Sequence, residues 1–257
     1  MIPAFELRGV SVYYGPRRAL GPLDLSIAPG ESVAVVGPSG AGKTSLLRLL
    51  NGTLSPSEGQ VLVQGRDVAG MDRESLRGLR SRIGFVHQDH ALVPILRAGQ
   101  NVVAGGLGQR GFWSGARSII WTRGDDLERA HELLERVGIG EQLFQRTDTL
   151  SGGQQQRVAI ARALFQDPSA LLADEPVASV DPARGRALLE LMTSLADERS
   201  LTLVASLHDL VLARALFPRL IGLRQGELLL DSAPRDVPEE AFSELYHLQG
   251  LRDGEVG

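Results

Sequence analysis

No cysteine occurs among the 257 residues, which excludes disulfides, thiolate zinc sites and cysteine nucleophiles. No stretch approaches the roughly 18 consecutive apolar residues of a membrane span. The opening "MIPAFELRGV" lacks the basic start and long apolar run of a signal peptide. The expectation is therefore a cytoplasmic protein that reaches a membrane only through a partner. An excess of positive charge is missing as well. Lys and Arg number 27 against 31 Asp and Glu, a net charge of −4, which argues against a general nucleic-acid binder. Internal repeats and low-complexity tracts are absent. What the chain does have is 43% apolar residues, enough to bury the core of one large or two small domains.

The apolar pattern predicts alternating strands and helices. "LDLSI" (23–27) alternates like a half-buried strand, while "SVAVV" (32–36) is continuously apolar like a buried one. "KTSLLRLLNG" has helical spacing and stops at Asn51-Gly52. "GQVLVQG" and "RIGFVHQ" read as two more strands. From about His90 to Leu150 the pattern becomes mainly helical. Its clearest helix is "DDLERAHELLERVG", with Asp125 and Asp126 at the start, Leu127, Ala130, Leu133, Leu134 and Val137 on one face, and Gly138 at the end. Beyond Leu150 the spacing predicts strands at "SALLA" and "LTLVAS" and helices at "PARGRALLELMTSLADE" and "DLVLARAL". A hairpin is expected to turn near Gln225-Gly226, and a short helix over 239–246. A parallel α/β core interrupted by a helical insertion is the economical architecture.

"GPSGAGKT" follows a buried strand and opens a helix, the context in which a glycine-rich loop cradles phosphate. Its residues are Gly37, Pro38, Ser39, Gly40, Ala41, Gly42, Lys43 and Thr44, with Ser45 next on the helix. The glycines let backbone N–H groups turn inward onto phosphate oxygens, and the helix N-terminus adds its dipole. Lys43 is placed to reach the β- and γ-phosphates and the Thr44 hydroxyl to ligate Mg²⁺. "SALLADEP" then sets Asp174 at the end of a second buried strand, suited to holding Mg²⁺ through water, with Glu175 suited to polarising an attacking water. The plainer alternative is that Asp-Glu-Pro caps the next helix.

A second glycine pair, in "LSGGQQQRVAIARAL" (150–164), also precedes a helical run. Ser151, Gly152, Gly153 and Gln154 would make an anion site built like the first. A phosphate loop leaves one face of the γ-phosphate open, and if two copies pack head to tail this segment of one can close that face in the other. The alternative is an ordinary helix cap with a tight turn.

Together, "LSGGQQQRVAIARAL" and "LLADEPVASVDP" resemble the signature and Walker B regions of ATP-binding cassette (ABC) ATPases. The resemblance runs from about Phe5 to Asp231. It implies a RecA-like P-loop core with an antiparallel β-subdomain and an α-helical subdomain, dimerising around two ATP molecules with Mg²⁺. The implied single domain spans 1–233, with core and β-subdomain at 1–89 and 151–233, helical subdomain at 90–150 and a tail at 234–257. Family positions carry over onto Tyr14 for the adenine (Tyr13 competing) and Gln88 of "VHQD" as the Q-loop glutamine on Mg²⁺ and the attacking water. Ser179 to Asp181 match the D-loop, with Val180 where leucine is commoner. His208 of "SLHDL" matches the switch histidine that meets the γ-phosphate.

With about sixty residues between Gln88 and the signature, the chain is similar to a separate importer subunit rather than to a two-cassette soluble machine. The segment "NVVAGGLGQRGFWSGARSIIWTRGDDLERAHELLERVGI", read with the motifs above, resembles the ATPase subunit of phosphonate importers. That implies integral membrane permease subunits and an extracytoplasmic solute-binding protein as partners, no nucleic acid, and a peripheral place on the cytoplasmic face of the membrane. Trp113 and Trp121 are then either packing residues of the helical subdomain or contacts to the membrane subunit. A separate-subunit exporter, or a transporter subunit for another solute such as an amino acid, phosphate or a metal chelate, stays open within the family. A P-loop kinase and a soluble regulatory or repair ATPase are the competing classes. The first has no use for "LSGGQ", and the second lacks support from any long basic run.

Overall fold

The structure is a computed structural model that describes residues 1–109, 124–178 and 180–246. Trp113, Trp121 and Ser179 lie outside the described residues. The chain divides into two compact units, Met1–Ala69 with Val204–Gly257, and Gly70–Leu203.

In the first unit an antiparallel sheet has the order β2-β1-β4-β5, formed by β1 (Phe5–Tyr14), β2 (Arg17–Ile27), β4 (Glu58–Val63) and β5 (Arg66–Asp67). Phe5 pairs with Ile27 on one side and Val63 on the other, all three buried. A second row runs β10-β9-β3-β8, from β3 (Ser32–Val36), β8 (Thr202–Leu207), β9 (Arg219–Arg224) and β10 (Glu227–Ser232). β3 is buried along its whole length and pairs in parallel with β9, Val36 opposite Gly222. The unbroken apolar run of "SVAVV" is what a strand covered on both faces requires. β9 and β10 form the expected hairpin, with Gln225 (φ 49) and Gly226 (φ 82) both left-handed, as a two-residue turn matched to strand twist demands. Arg219 fastens its base, donating to Glu31 at 3.0 Å, Asp231 at 2.6 Å and the Ser26 carbonyl at 2.9 Å. Helices α1 (Lys43–Leu50), α7 (Leu210–Leu216) and α8 (Glu239–Tyr246) complete the unit.

The second unit holds the parallel pair β6 (Ile83–Val86) and β7 (Ala170–Asp174), with Val86 opposite Ala173. Its helices are α2 (Arg73–Arg80), α3 (Ala98–Val103), α4 (Gly124–Arg136), α5 (Gly152–Phe165) and α6 (Pro182–Arg199). α4 buries Ala130, Leu133 and Leu134, with Val137 just beyond its end, as the spacing predicts. α5 is buried from Val158 to Ala161 and approaches β6 closely; a Cβ on Gly84 would sit 2.9 Å from the Ala163 carbonyl oxygen. Asn101, 1% exposed, ties two loop segments by donating to Thr147 Oγ1 at 2.8 Å and accepting from the Val93 N–H at 2.9 Å. No helix among the described residues is long and apolar enough to cross a membrane.

Candidate functional site

In the first unit the chain leaves β3 and turns at Gly37 (φ 149), where a Cβ would stand 2.0 Å from the Leu223 carbonyl oxygen of β9. It turns again at Gly42 (φ 106), where a Cβ would meet Leu20 Cδ2 at 2.4 Å. Only glycine fits either place, by conformation and by space. Gly42 is the N-cap of α1 and brings no side chain to it, so the dipole and leading N–H groups of α1 serve the loop ahead of it. Lys43 is 4% exposed, an unusual burial for an ammonium group. Its Nζ donates to the Gly37 carbonyl at 2.8 Å and the Pro38 carbonyl at 3.2 Å, and stands 3.4 Å from His208 Nδ1. Tyr14 closes β1 half-exposed, its Oη 3.4 Å from Ser45 Oγ of α1. Tyr13 instead gives its backbone N–H to Ser57 Oγ at 3.1 Å. The loop from Gly37 to Ser45, Lys43, Tyr14 and His208 thus belong to one unit, with β3 and β8 delivering Gly37 and His208 from their ends.

In the second unit the parallel β6 and β7 end at one edge. Gln88 follows β6 by two residues and is exposed; Asp174 is the last residue of β7 and 7% exposed. Glu175 has φ 49, a left-handed conformation that costs a non-glycine residue about 1–2 kcal/mol. A turn bond from the Ala178 N–H to its carbonyl, at 3.2 Å, holds it there. Ser151 is the N-cap of α5 in a reciprocal capping box. Its Oγ accepts from the Gln154 N–H at 3.4 Å, and Gln154 Oε1 accepts from the Ser151 N–H at 3.0 Å. Around Gly152 and Gly153 a Cβ would meet nothing within 4 Å, and neither has a positive φ. Asp181 is the N-cap of α6, accepting from the Arg184 N–H at 3.1 Å.

No group of three or more His, Cys, Asp and Glu side chains forms a metal cage among the described residues.

Arg162 of α5 is a site residue that sequence reasoning missed. Its guanidinium donates to the carbonyls of His90, at 2.8 Å, and Ala91. These two residues follow the Gln88-Asp89 pair, and both are left-handed (φ 61 and 45). Burial lowers the pKa of His90, reinforced by the Arg162 charge and opposed by a hydrogen bond with Gln156 and by Asp89. A cation inside a largely apolar helix stretch was the available signal.

A glycine loop between a buried strand and a helix, with a buried lysine at its end and an Asp-Glu pair closing another buried strand, defines a P-loop nucleotide-binding protein. The sequence profile described as "ABC transporter" matches residues 20–178, more than half of the chain. The chain belongs to the ABC transporter family, with the RecA-like P-loop core, antiparallel β-subdomain and α-helical subdomain of its ATPases. Among its relatives, the phosphonates import ATP-binding protein PhnC of Anaeromyxobacter dehalogenans (strain 2CP-C) is 49% identical over 244 residues, 95% of this chain and 48% of that protein. The chain thus spans about half the length of that relative. A protein of the same description from Frankia casuarinae is 45% identical over 251 residues, 97% of this chain and 98% of its own length. The dimeric structure of MJ0796, a bacterial ABC transporter cassette, has a TM-score of 0.80 at 33% identity, covering 91% of this chain and 100% of that one.

Proposed function

We propose that this chain is the ATP-hydrolysing subunit of an ABC importer for phosphonates or related phosphorus oxyanions. It acts as a homodimer in its ATP-bound state, attached at the cytoplasmic face of the membrane to separate permease subunits. An extracytoplasmic solute-binding protein of the same system delivers the cargo, so specificity is inferred here by association. Likeness to proteins described as phosphonates import subunits, over nearly the whole chain, supports the branch.

One observation carries the shared-site reading. Two adjacent glycines open α5, yet nothing among the described residues crowds them and neither has a left-handed φ. Each costs about 0.5–1 kcal/mol against alanine in a helix. The space they keep clear is explained by a group approaching from outside the chain, the γ-phosphate of a nucleotide bound by a twin molecule.

In the mechanism, Tyr14 stacks on the adenine and the Gly37–Ser45 cradle wraps the phosphates. Lys43 supplies positive charge to the β- and γ-phosphates. Ser151, Gly152, Gly153 and Gln154 of the partner copy close the open face, with Asp181 at the crossing between copies. The Thr44 hydroxyl, Gln88 and the Asp174 carboxylate would hold Mg²⁺, which when bound neutralises phosphate charge. Glu175 draws a proton from the attacking water, and His208 stabilises charge developing on the γ-phosphate. Closure and reopening of the dimer then drive the permease.

The test is Glu175→Gln. With ATP and Mg²⁺ it should run as a dimer in size-exclusion chromatography with light scattering, and as a monomer without nucleotide. A variant that binds ATP and stays monomeric refutes the shared site. The cargo is tested by identifying the binding protein that co-purifies with the chain from membranes and titrating it with phosphonates, phosphite, phosphate and unrelated solutes. Affinity confined to the unrelated solutes overturns the branch.

A further inference from the structure

The last described helix, α8, lies well beyond the 20–178 segment that the family profile matches. It is firmly docked in its unit. Phe242, 4% exposed, stacks beneath the Arg214 guanidinium of α7 at 4.6 Å. Leu245, 1% exposed, sits on β9, its methyls 3.4 Å from where a Cβ on Gly222 would be. These anchors fix the residue that follows, Tyr246.

The Tyr246 hydroxyl stands between two nucleotide loops. Its Oη donates to the His208 carbonyl at 3.4 Å. Tyr246 also lines one pocket with Pro38, Ser39, Gly40 and Ala41 of the phosphate loop. Burial and the nearby Asp209 charge raise the Tyr246 pKa, so the hydroxyl keeps its proton at neutral pH and remains a donor. Lys43 ties the phosphate loop to the same histidine, 2.8 Å from the Gly37 carbonyl and 3.4 Å from His208 Nδ1. His208 is thus met by an ammonium group from the phosphate loop and by a phenol from the end of the chain.

We propose that Tyr246 is a positioning residue for ATP hydrolysis, setting the placement of His208 relative to the start of the phosphate loop. The inference rests on the role proposed for His208. Tyr246 acts through the backbone of the histidine, and its hydroxyl is the active part. α8 is then a component of the nucleotide site rather than an inert tail.

Tyr246→Phe, in the full chain, keeps the ring and removes the hydroxyl. Its kcat for MgATP should fall about fivefold, the worth of one ordinary hydrogen bond. KM for ATP and affinity for a fluorescent ATP analogue should stay within about twofold of wild type, because uniform binding is untouched. Combined with His208→Ala, Tyr246→Phe should slow hydrolysis no further, since residues acting as one unit are not additive. An undiminished kcat, or a fully additive double variant, overturns the proposal. A second readout does not depend on hydrolysis: by NMR, the His208 imidazole signals should shift in Tyr246→Phe relative to wild type. Unmoved His208 signals also overturn the proposal. A wild-type chain that does not hydrolyse ATP, yet shows the His208 shift on substitution, counts against the ATPase reading and leaves the contact standing.

Discussion

Replacing Gly153 with alanine should make this protein more stable and nearly inactive. Gly153 is the second residue of α5, has an ordinary helical backbone, and leaves open space where a methyl would go. Within the monomer the change removes a glycine's extra backbone freedom in the unfolded chain at no steric cost, a gain of about 0.5–1 kcal/mol. For a chain of this size that corresponds to a rise in Tm of about 1–4 °C, measured by thermal unfolding without nucleotide. In the closed dimer the same methyl would face the partner's γ-phosphate. A displacement of about 1 Å at a reacting centre costs on the order of 100-fold in rate, so steady-state hydrolysis of MgATP should drop by at least about that factor. The ATP-trapped dimer of Glu175→Gln should be lost when Gly153→Ala is added. A stabilised variant that hydrolyses ATP at the wild-type rate would refute the reasoning, because the open space would then serve no partner. A destabilised variant would show that the methyl collides within the chain after all.

Lys43→Ala should lose hydrolysis by more than about 100-fold, read as phosphate release, since it removes the cation at the end of the phosphate loop. Arg162→Ala removes the donor that holds the left-handed His90 and Ala91 carbonyls; a loss of about 3 kcal/mol, or about 6–12 °C in Tm, is expected, with Arg162→Lys falling in between. The depressed pKa of His90 makes the unfolded chain bind the proton first. Stability should therefore decline as pH falls below about 6.5, and His90→Gln should flatten that part of a denaturation series against pH.

Much of the fold was legible because its local rules agree. The unbroken "SVAVV" became a strand buried on every residue, and the spacing of Ala130, Leu133 and Leu134 became the inner face of α4. α2 was not legible. Its sequence, "RESLRGLR", buries only Leu79 and so carries almost no apolar period, although Asp72 caps it through the Ser75 N–H at 2.8 Å. β1 was blurred for another reason. Its pairing with β2 shifts register between Leu7 and Val10, and Gly9 (φ 55) lies within that break; a bulge of this kind disrupts the two-residue alternation on which strand reading depends. At the site, the phosphate loop could be located because glycine is visible in a sequence and its reasons are steric. The roles of Arg162 and Tyr246 could not. Both act through backbone carbonyls of residues far along the chain, and neither partner is encoded by a neighbouring residue type.

The same contrast explains where the structure stores strain. Glu175, His90 and Ala91 are left-handed without being glycine or asparagine, and all three come shortly after β6 or β7 ends at the shared edge of the second unit. Folding alone favours glycine at each of these positions. The role proposed for Glu175 needs a carboxylate that glycine cannot supply, whereas His90 and Ala91 have carbonyls turned toward a buried guanidinium that compensates for their conformation. Strain at Glu175 therefore follows from its own side chain, and strain at His90 and Ala91 from the Arg162 contact. Removing Arg162 should free the segment after Gln88 while leaving the Glu175 turn intact, which places the two strained sites under separate control even though one strand edge carries both.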